Sequence, residues 1–146
     1  MDIDTPKFME YFLDFSVAVT GFSRFDLQGT GQASLYFETI RGIIGGEMFR
    51  ELLQTFQDGG VDDILISAKL GPIARNIIKL WYMATWEQLP EAWRKTFGSR
   101  QNDSTFIVSP YAYPEGLLWS AIGVNPPAAK APGYGTWSEP PSFTLG

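Results

Sequence analysis

The sequence predicts a small all-α protein, an irregular helical bundle with an extended C-terminal arm. Three observations support this prediction. Apolar residues recur at three- and four-residue spacing through most of the chain up to Gly123. Only one short run, residues 104–109, has the composition of a β-strand. Beyond Gly123, prolines and glycines replace the periodic pattern. We therefore expect a single domain over residues 1–146, with a helical body at about 4–123 and the arm at about 124–146.

The first predicted helix covers residues 5–21. Thr5 is a suitable N-cap, Pro6 suits the first helical position, and Gly21 suits the C-terminal stop. The apolar stripe of this helix consists of Phe8, Phe12, Phe15 and Val19. The polar, glycine-containing segment that follows, residues 22–31, is predicted to be a loop.

A longer helical pattern covers residues 32–60. Its expected buried side consists of Leu35, Ile40, Ile43, Ile44, Met48, Leu52 and Phe56. Gly42, Gly45 and Gly46 interrupt the pattern, and a glycine in a helix interior costs about 1 kcal/mol relative to alanine. Two interpretations stay open: the helix breaks near Gly45, or another backbone packs closely against the glycines.

The second half of the body is predicted to contain shorter elements. Residues 61–71 fit one or two helical turns, and residues 72–86 fit a strong helix that begins at Pro72. The stripe of that helix consists of Ile73, Ile77, Leu80, Trp81 and Ala84. A short helix follows Pro90, and another begins at Pro114.

Composition excludes several function classes. The net charge of −5 argues against binding nucleic acid or an anionic membrane surface. No apolar run reaches the 18 residues of a membrane span. The chain contains neither histidine nor cysteine, so the usual metal ligand, the usual general base, disulfides and thiolate-held clusters are all missing. These absences lower the expectation of catalysis without removing it, because carboxylates, lysine and tyrosine also catalyse.

Short motifs offer little chemistry. The run at residues 29–34, GTGQAS, faintly resembles a dinucleotide-binding turn, but it lacks the third glycine and no strand precedes it. Asp62 and Asp63 are adjacent and are interpreted as charges at a helix N-terminus. The tryptophans leave an alternative open: Trp81 is expected in the core, whereas a sugar-binding module would use Trp81, Trp86 and Trp93 as stacking platforms.

The arm combines rigidity with large aromatic side chains. Its prolines, Pro126, Pro127, Pro132, Pro140 and Pro141, favour an extended chain and reduce the entropy lost when it becomes ordered. Tyr134 and Trp137 lie among them and are of the type that forms interface hot spots. The sequence therefore predicts a strap that covers a partner protein or its own body.

Four segments occur in an order that resembles a known family. They are TPKFMEYFLDFSVAVTG at the start, IIKLWYMAT at residues 77–85, YPEGLLW at residues 113–119, and APGYGTWSEPP at residues 131–141. Together they are similar to the small subunits of bacterial FAD-dependent sugar and polyol dehydrogenase complexes, such as those that oxidise glucose, fructose, sorbitol and glucosides. The resemblance covers most of the chain and is weak over residues 22–70.

The resemblance implies a non-catalytic subunit without a cofactor of its own. The partner would be a large flavoprotein of the glucose–methanol–choline oxidoreductase type, which holds FAD and the sugar site. A multi-haem cytochrome c completes many such complexes. The small subunit supports folding of the large one and, in many relatives, carries a twin-arginine leader for export. The implied location is the periplasm or the periplasmic face of the inner membrane.

Two features of this sequence depart from the family pattern. No leader precedes the first helix, which leaves a cytoplasmic location open. Some relatives have a cysteine ahead of the Pro-Gly-aromatic motif, where this chain has Ala128, Ala129, Lys130 and Ala131. The hypothesis for the partner interface names six residues: Tyr113, Trp119, Pro132, Tyr134, Trp137 and Pro140. The alternative function is an unrelated helical scaffold or adaptor without enzymatic activity.

Overall fold

A computed structural model of the chain describes residues 3–123, and the arm with Pro132, Tyr134, Trp137 and Pro140 lies outside the described residues. The described part is mostly helical, with only two short strands, which confirms the all-α prediction. Its α-helices are α1 Pro6–Thr20, α2 Arg24–Gly29, α3 Ala33–Ile44, α4 Gly46–Gly59, α5 Val61–Leu65, α6 Leu70–Met83, α7 Glu91–Phe97 and α8 Leu117–Ala121. Two short strands, β1 Thr85–Trp86 and β2 Phe106–Ile107, and a 3₁₀ turn, Tyr113–Glu115, complete it.

Helix α1 lies at the centre of the bundle and contacts α2, α3, α4, α5 and α6. Gly21 ends it in the left-handed conformation at φ 79°, and its N–H donates to the Val17 carbonyl at 3.0 Å. The predicted stripe faces the core, with Phe8, Phe12 and Phe15 buried and Val19 half-buried. The prediction for residues 5–21 is confirmed.

The long pattern of residues 32–60 is two helices, and the break lies at Gly45. This residue has φ +88°, a conformation that L side chains rarely adopt. No atom lies within 4 Å of a Cβ added to Gly45, so backbone geometry and not crowding requires the glycine. The first of the two interpretations is therefore confirmed. Because the break resets the helical register, no single stripe runs through both helices: Leu35 is 36 % exposed and Phe56 only half-buried.

The loop predicted for residues 22–31 is wrong, because α2 forms there. The Ser23 hydroxyl accepts a hydrogen bond from the Asp26 N–H at 3.0 Å, and buried Leu27 anchors the helix to the core. A helix of six residues has too few apolar positions to show a period. In the sequence, the N-cap residue Ser23 was the only indication of this helix.

Helix α6 is the most buried helix of the second half, and all five residues of its predicted stripe are fully enclosed. It begins at Leu70, two residues before the predicted start at Pro72, and it ends at Met83. Ala84 then turns the chain at φ 52°, and Thr85–Trp86 pairs antiparallel with Phe106–Ile107. The strand predicted within residues 104–109 is confirmed, whereas its partner strand had been assigned to the helix.

The aromatic side chains form much of the core. The Phe12 ring lies 5.7 Å from Phe37, 5.8 Å from Phe49 and 6.0 Å from Trp81, measured between ring centroids. The Trp81 indole N–H donates to the Ser16 hydroxyl at 2.9 Å in the buried interior. Phe25 and Tyr111 are the exceptions among the described residues, with 83 % and 85 % of their surfaces exposed. The high aromatic content therefore serves mainly to fill the bundle.

Two buried hydroxyls give opposite predictions for stability. Ser16→Ala leaves the Trp81 indole N–H without an acceptor, so we expect a loss of about 1–3 kcal/mol in the free energy of unfolding. The Tyr36 hydroxyl is enclosed and has no hydrogen-bond partner, so Tyr36→Phe is expected to be neutral or stabilising. Urea denaturation of both variants checks this pair. Destabilisation by Tyr36→Phe equal to that by Ser16→Ala would contradict it.

The buried phenol of Tyr36 should also make the stability of the protein depend on pH. Burial, and secondarily the negative charge of Glu115, raises the pKa of the Tyr36 phenol above its ordinary value of 10.0. The stabilisation that comes from keeping this group neutral is complete below about pH 10, and stability falls as pH rises further, because the unfolded chain ionises first. Tyr36→Phe should make this alkaline fall smaller, which denaturation at about pH 8 and about pH 11 measures. Burial also raises the pKa of Tyr82, so part of the fall should remain.

Candidate partner interface

The described residues that lead directly to the arm have an unusual surface. Residues 109–123, which we call the terminal segment, contain a single charged residue, Glu115. Tyr111 is 85 % exposed and Ile122 is 49 % exposed. Monomeric surfaces expose single apolar residues routinely, but a stretch that combines exposed aromatic and aliphatic groups with so little charge resembles the composition of interface cores.

The two described residues of the interface hypothesis lie in the terminal segment and contact each other. The rings of Tyr113 and Trp119 meet edge to face, with centroids 5.6 Å apart. The Trp119 indole N–H donates to the Tyr113 carbonyl at 3.1 Å. Both residues are half-buried, so each ring retains some accessible surface. The structure therefore brings these two together and gives the Trp119 indole N–H an acceptor within the segment.

The terminal segment is attached firmly to the end of α6. Leu117 and Ala112 are buried, and α8 packs against α6. A Cβ added at Gly116 would lie 2.4 Å from the Tyr82 carbonyl oxygen, so only glycine permits this close approach. The Ser109 hydroxyl accepts hydrogen bonds from the N–H groups of Tyr111 and Ala112, both at 3.1 Å. Tyr111 is thus presented on an ordered turn.

Asp103 organises the neighbouring loops, a role that no local sequence pattern indicates. Its carboxylate is 4 % exposed and accepts from the Trp86 indole N–H at 2.9 Å and the Leu89 backbone N–H at 3.1 Å. The amide of Gln88 donates to the Asp103 carbonyl at 3.2 Å. These donors all belong to the protein, so the arrangement is structural. It fastens residues 100–105 to the segment that follows β1.

The tryptophans of the sugar-stacking interpretation are inside the protein. Trp81 and Trp86 are 0 % exposed and Trp93 is 3 % exposed. Each indole N–H is engaged, that of Trp93 with the Lys69 carbonyl at 2.8 Å. A stacking platform needs an accessible ring face, and these three rings offer none. The expectation of a core position is confirmed for Trp81, and Trp86, which was left open, is also in the core.

Other candidate chemistry does not assemble within residues 3–123. The GTGQAS run begins at the last residue of α2, where no strand precedes it. Asp62 and Asp63 lie in the first turn of α5, as interpreted. In this part of the chain, no group of three or more carboxylates could hold a metal ion. Among the same residues, no helix has the length and apolar character to cross a membrane.

A comparison with protein-family models, curated proteins and solved structures finds no match to this chain.

Proposed function

We propose that this protein is the non-catalytic small subunit of a flavin-dependent sugar or polyol dehydrogenase complex. Its partner is the large FAD-bearing subunit of the glucose–methanol–choline oxidoreductase type, which it helps to fold and keeps stable. In some complexes of this kind a multi-haem cytochrome c is the third subunit. The proposal places the complex in the periplasm or on the periplasmic face of the inner membrane, with export of the large subunit as a further role.

The observation that carries the proposal is the terminal segment. The sequence motif that resembles the family at residues 113–119 occupies this segment, whose only charge is Glu115 and whose Tyr111 side chain is 85 % exposed. The arm with Tyr134 and Trp137 follows it directly in sequence. An uncharged aromatic surface continuous in sequence with a proline-rich strap suits a protein partner better than a small substrate.

The contribution of each side chain differs with its exposure. Tyr111 has most of its surface available for burial by a partner, and tyrosine is among the residues that dominate binding energy in interfaces. Tyr113 and Trp119 already bury part of their surface against each other, so they contribute a preformed contact area. In the arm, we propose that Tyr134 and Trp137 are anchors and that Pro132 and Pro140 hold the chain extended.

The matching prediction compares two exposed apolar residues. Tyr111→Ser should weaken assembly with the flavoprotein about tenfold or more, because it removes a proposed hot-spot side chain. Ile66→Ser is the control. Ile66 is 81 % exposed and follows α5, near the start of α6, whereas the terminal segment packs at the other end of α6, roughly 20 Å away along a 14-residue helix. Neither substitution should change the free energy of unfolding by more than about 0.5 kcal/mol.

Titration of the immobilised flavoprotein with each variant measures the effect. Deletion of residues 125–146 and the pair Trp137→Ala and Lys130→Ala extend the test to the arm, where loss of the tryptophan should matter far more than loss of the charge. Equal binding by the wild type, Tyr111→Ser and the truncated chain would contradict the proposed interface. Binding only to proteins unrelated to flavoproteins would favour the alternative of a helical scaffold.

A further inference from the structure

A second region, far from the terminal segment in sequence, has the character of a small-molecule site. A cavity of about 690 Å³ lies along α4, at the break between α3 and α4, and Lys69 and Arg100 also line it. This volume lies within the range of about 300–1,000 Å³ that small-molecule sites occupy. Nothing in the proposed function uses it.

Two arginines in the cavity lack a counter-ion. Arg50 and Arg100 both line it, both are half-buried, and neither forms an ion pair within residues 3–123. The Arg100 Nε atom is enclosed and has no hydrogen-bond acceptor. An enclosed N–H without an acceptor is costly, and such unsatisfied groups in folded proteins are commonly explained by a bound water, ion or ligand.

The acidic residues of the cavity do not neutralise these arginines. Glu51 pairs with Lys69, with the carboxylate oxygen 2.7 Å from Nζ. Asp58 accepts from the Gln54 amide at 3.2 Å, and both Asp58 and Glu47 are exposed to solvent. The lining of the cavity therefore combines two guanidiniums that have no ion-pair partner within residues 3–123 with the solvated carboxylates of Glu47 and Asp58.

The fold holds Arg100 in place over the helix break. Asp103 fastens its own loop to Trp86 and Leu89, and the Asp103 N–H donates to the Arg100 carbonyl at 3.2 Å. The Asn102 amide donates to the Gly42 carbonyl of α3 at 3.2 Å. Because Asn102 and Asp103 are both anchored, the backbone of Arg100 is held close to the cavity that its side chain lines.

From these observations we propose that the cavity binds a small organic anion, whose phosphate or carboxylate group contacts Arg50 and Arg100. Arginine is suited to this role because its planar guanidinium recognises both groups through charge-assisted hydrogen bonds. The volume leaves room for several further heavy atoms, and the carboxylates of Glu47 and Asp58 would accept hydrogen bonds from hydroxyl or amino groups on the same molecule.

The test uses the full-length chain and three probes of similar size: glycerol 3-phosphate, glycerate and glycerol. We expect saturable shifts of the Arg100 side-chain N–H resonance, followed by NMR, with at least one of the two anions and none with glycerol. A response to glycerol 3-phosphate alone identifies phosphate as the group recognised, and a response to glycerate alone identifies carboxylate. Arg50→Gln should weaken binding about tenfold or more in this titration, the effect of losing one charge-assisted contact. Arg100→Gln should weaken it similarly, followed through the backbone N–H resonances of Gly45 and Gly46, which also line the cavity.

Arg75→Gln is the matched control. Arg75 is exposed on α6 outside the cavity lining, so its replacement changes the net charge equally and should leave binding unchanged. Circular dichroism establishes that each variant is folded, and the wild-type titration decides the question even if Arg100→Gln does not fold. The proposal is overturned if neither anion gives a saturable shift, if glycerol shifts the resonance equally, or if Arg75→Gln weakens binding as much as Arg50→Gln.

Discussion

Replacing Asp103 with alanine is expected to lower the free energy of unfolding by about 2–6 kcal/mol. The substitution strands two buried donors, the Trp86 indole N–H and the Leu89 backbone N–H, and each costs about 1–3 kcal/mol without an acceptor. It also removes the carboxylate's attachment of residues 100–105 to the segment that follows β1. Since small domains are stable by only about 5–15 kcal/mol, the variant should unfold at much lower denaturant concentration.

Asp103→Asn and Asp62→Ala make this measurement specific. The asparagine keeps one oxygen but turns an N–H₂ group toward one of the donors. Asp103→Asn should therefore lower the free energy of unfolding by an amount between those of Asp103→Ala and Asp62→Ala. Asp62 is exposed in the first turn of α5, and its removal should cost less than about 1 kcal/mol. An Asp103→Ala protein as stable as Asp62→Ala would show that the carboxylate does not organise these loops.

Phe12→Ala is expected to cost about 3–5 kcal/mol, the range for removing a fully buried aromatic side chain. The Phe12 ring lies between α3, α4 and α6 and contacts Phe37, Phe49 and Trp81, so the cavity left behind would border three helices. Rigid aromatic neighbours are poorly able to collapse into it.

Phe25→Ala is the control for the same change of side chain. Phe25 is 83 % exposed, and its truncation should alter stability by no more than about 0.5 kcal/mol. Phe12→Leu should fall between the two and gives a measurable value if Phe12→Ala does not fold. Equal effects of Phe12→Ala and Phe25→Ala on the denaturation midpoint would refute the assigned core.

Local signals in the sequence predicted the long elements well. Helices α1 and α6 each combine a strict apolar stripe with proline near the start, so the helical spacing and the start signal indicate the same element. Gly45 was recognised as a break point, although only the structure could distinguish a break from close packing. Strand β1 was missed because its two residues directly follow a helical stripe, and its identity depends on pairing with Phe106–Ile107 about twenty residues later.

The same distinction between local and long-range signals applies to the sites. Tyr113 and Trp119 could be named from the sequence because they stand in one short motif, whereas the exposure of Tyr111 became evident only in the structure. The Asp103 carboxylate binds residues 14 and 17 positions earlier in the chain. The cavity is lined by Arg50 and Arg100, which are far apart in sequence. Neither arrangement therefore produces a local sequence pattern. The sugar-stacking interpretation of the tryptophans failed for a related reason: sequence shows that tryptophan is present, whereas burial depends on the whole bundle.

The central claim is that this chain is a cofactor-free partner of a flavoprotein. Purification of the tagged, full-length chain from its native host, under mild conditions, followed by an absorption spectrum and identification of the co-purified proteins, tests it most directly. We expect a large flavoprotein in stoichiometric amount, with the visible absorption bands of bound FAD. Haem bands should appear as well if a cytochrome is present. The flavin should be lost from the sample when the large subunit is removed. Recovery of the chain alone, or with partners that carry no flavin, would contradict the account.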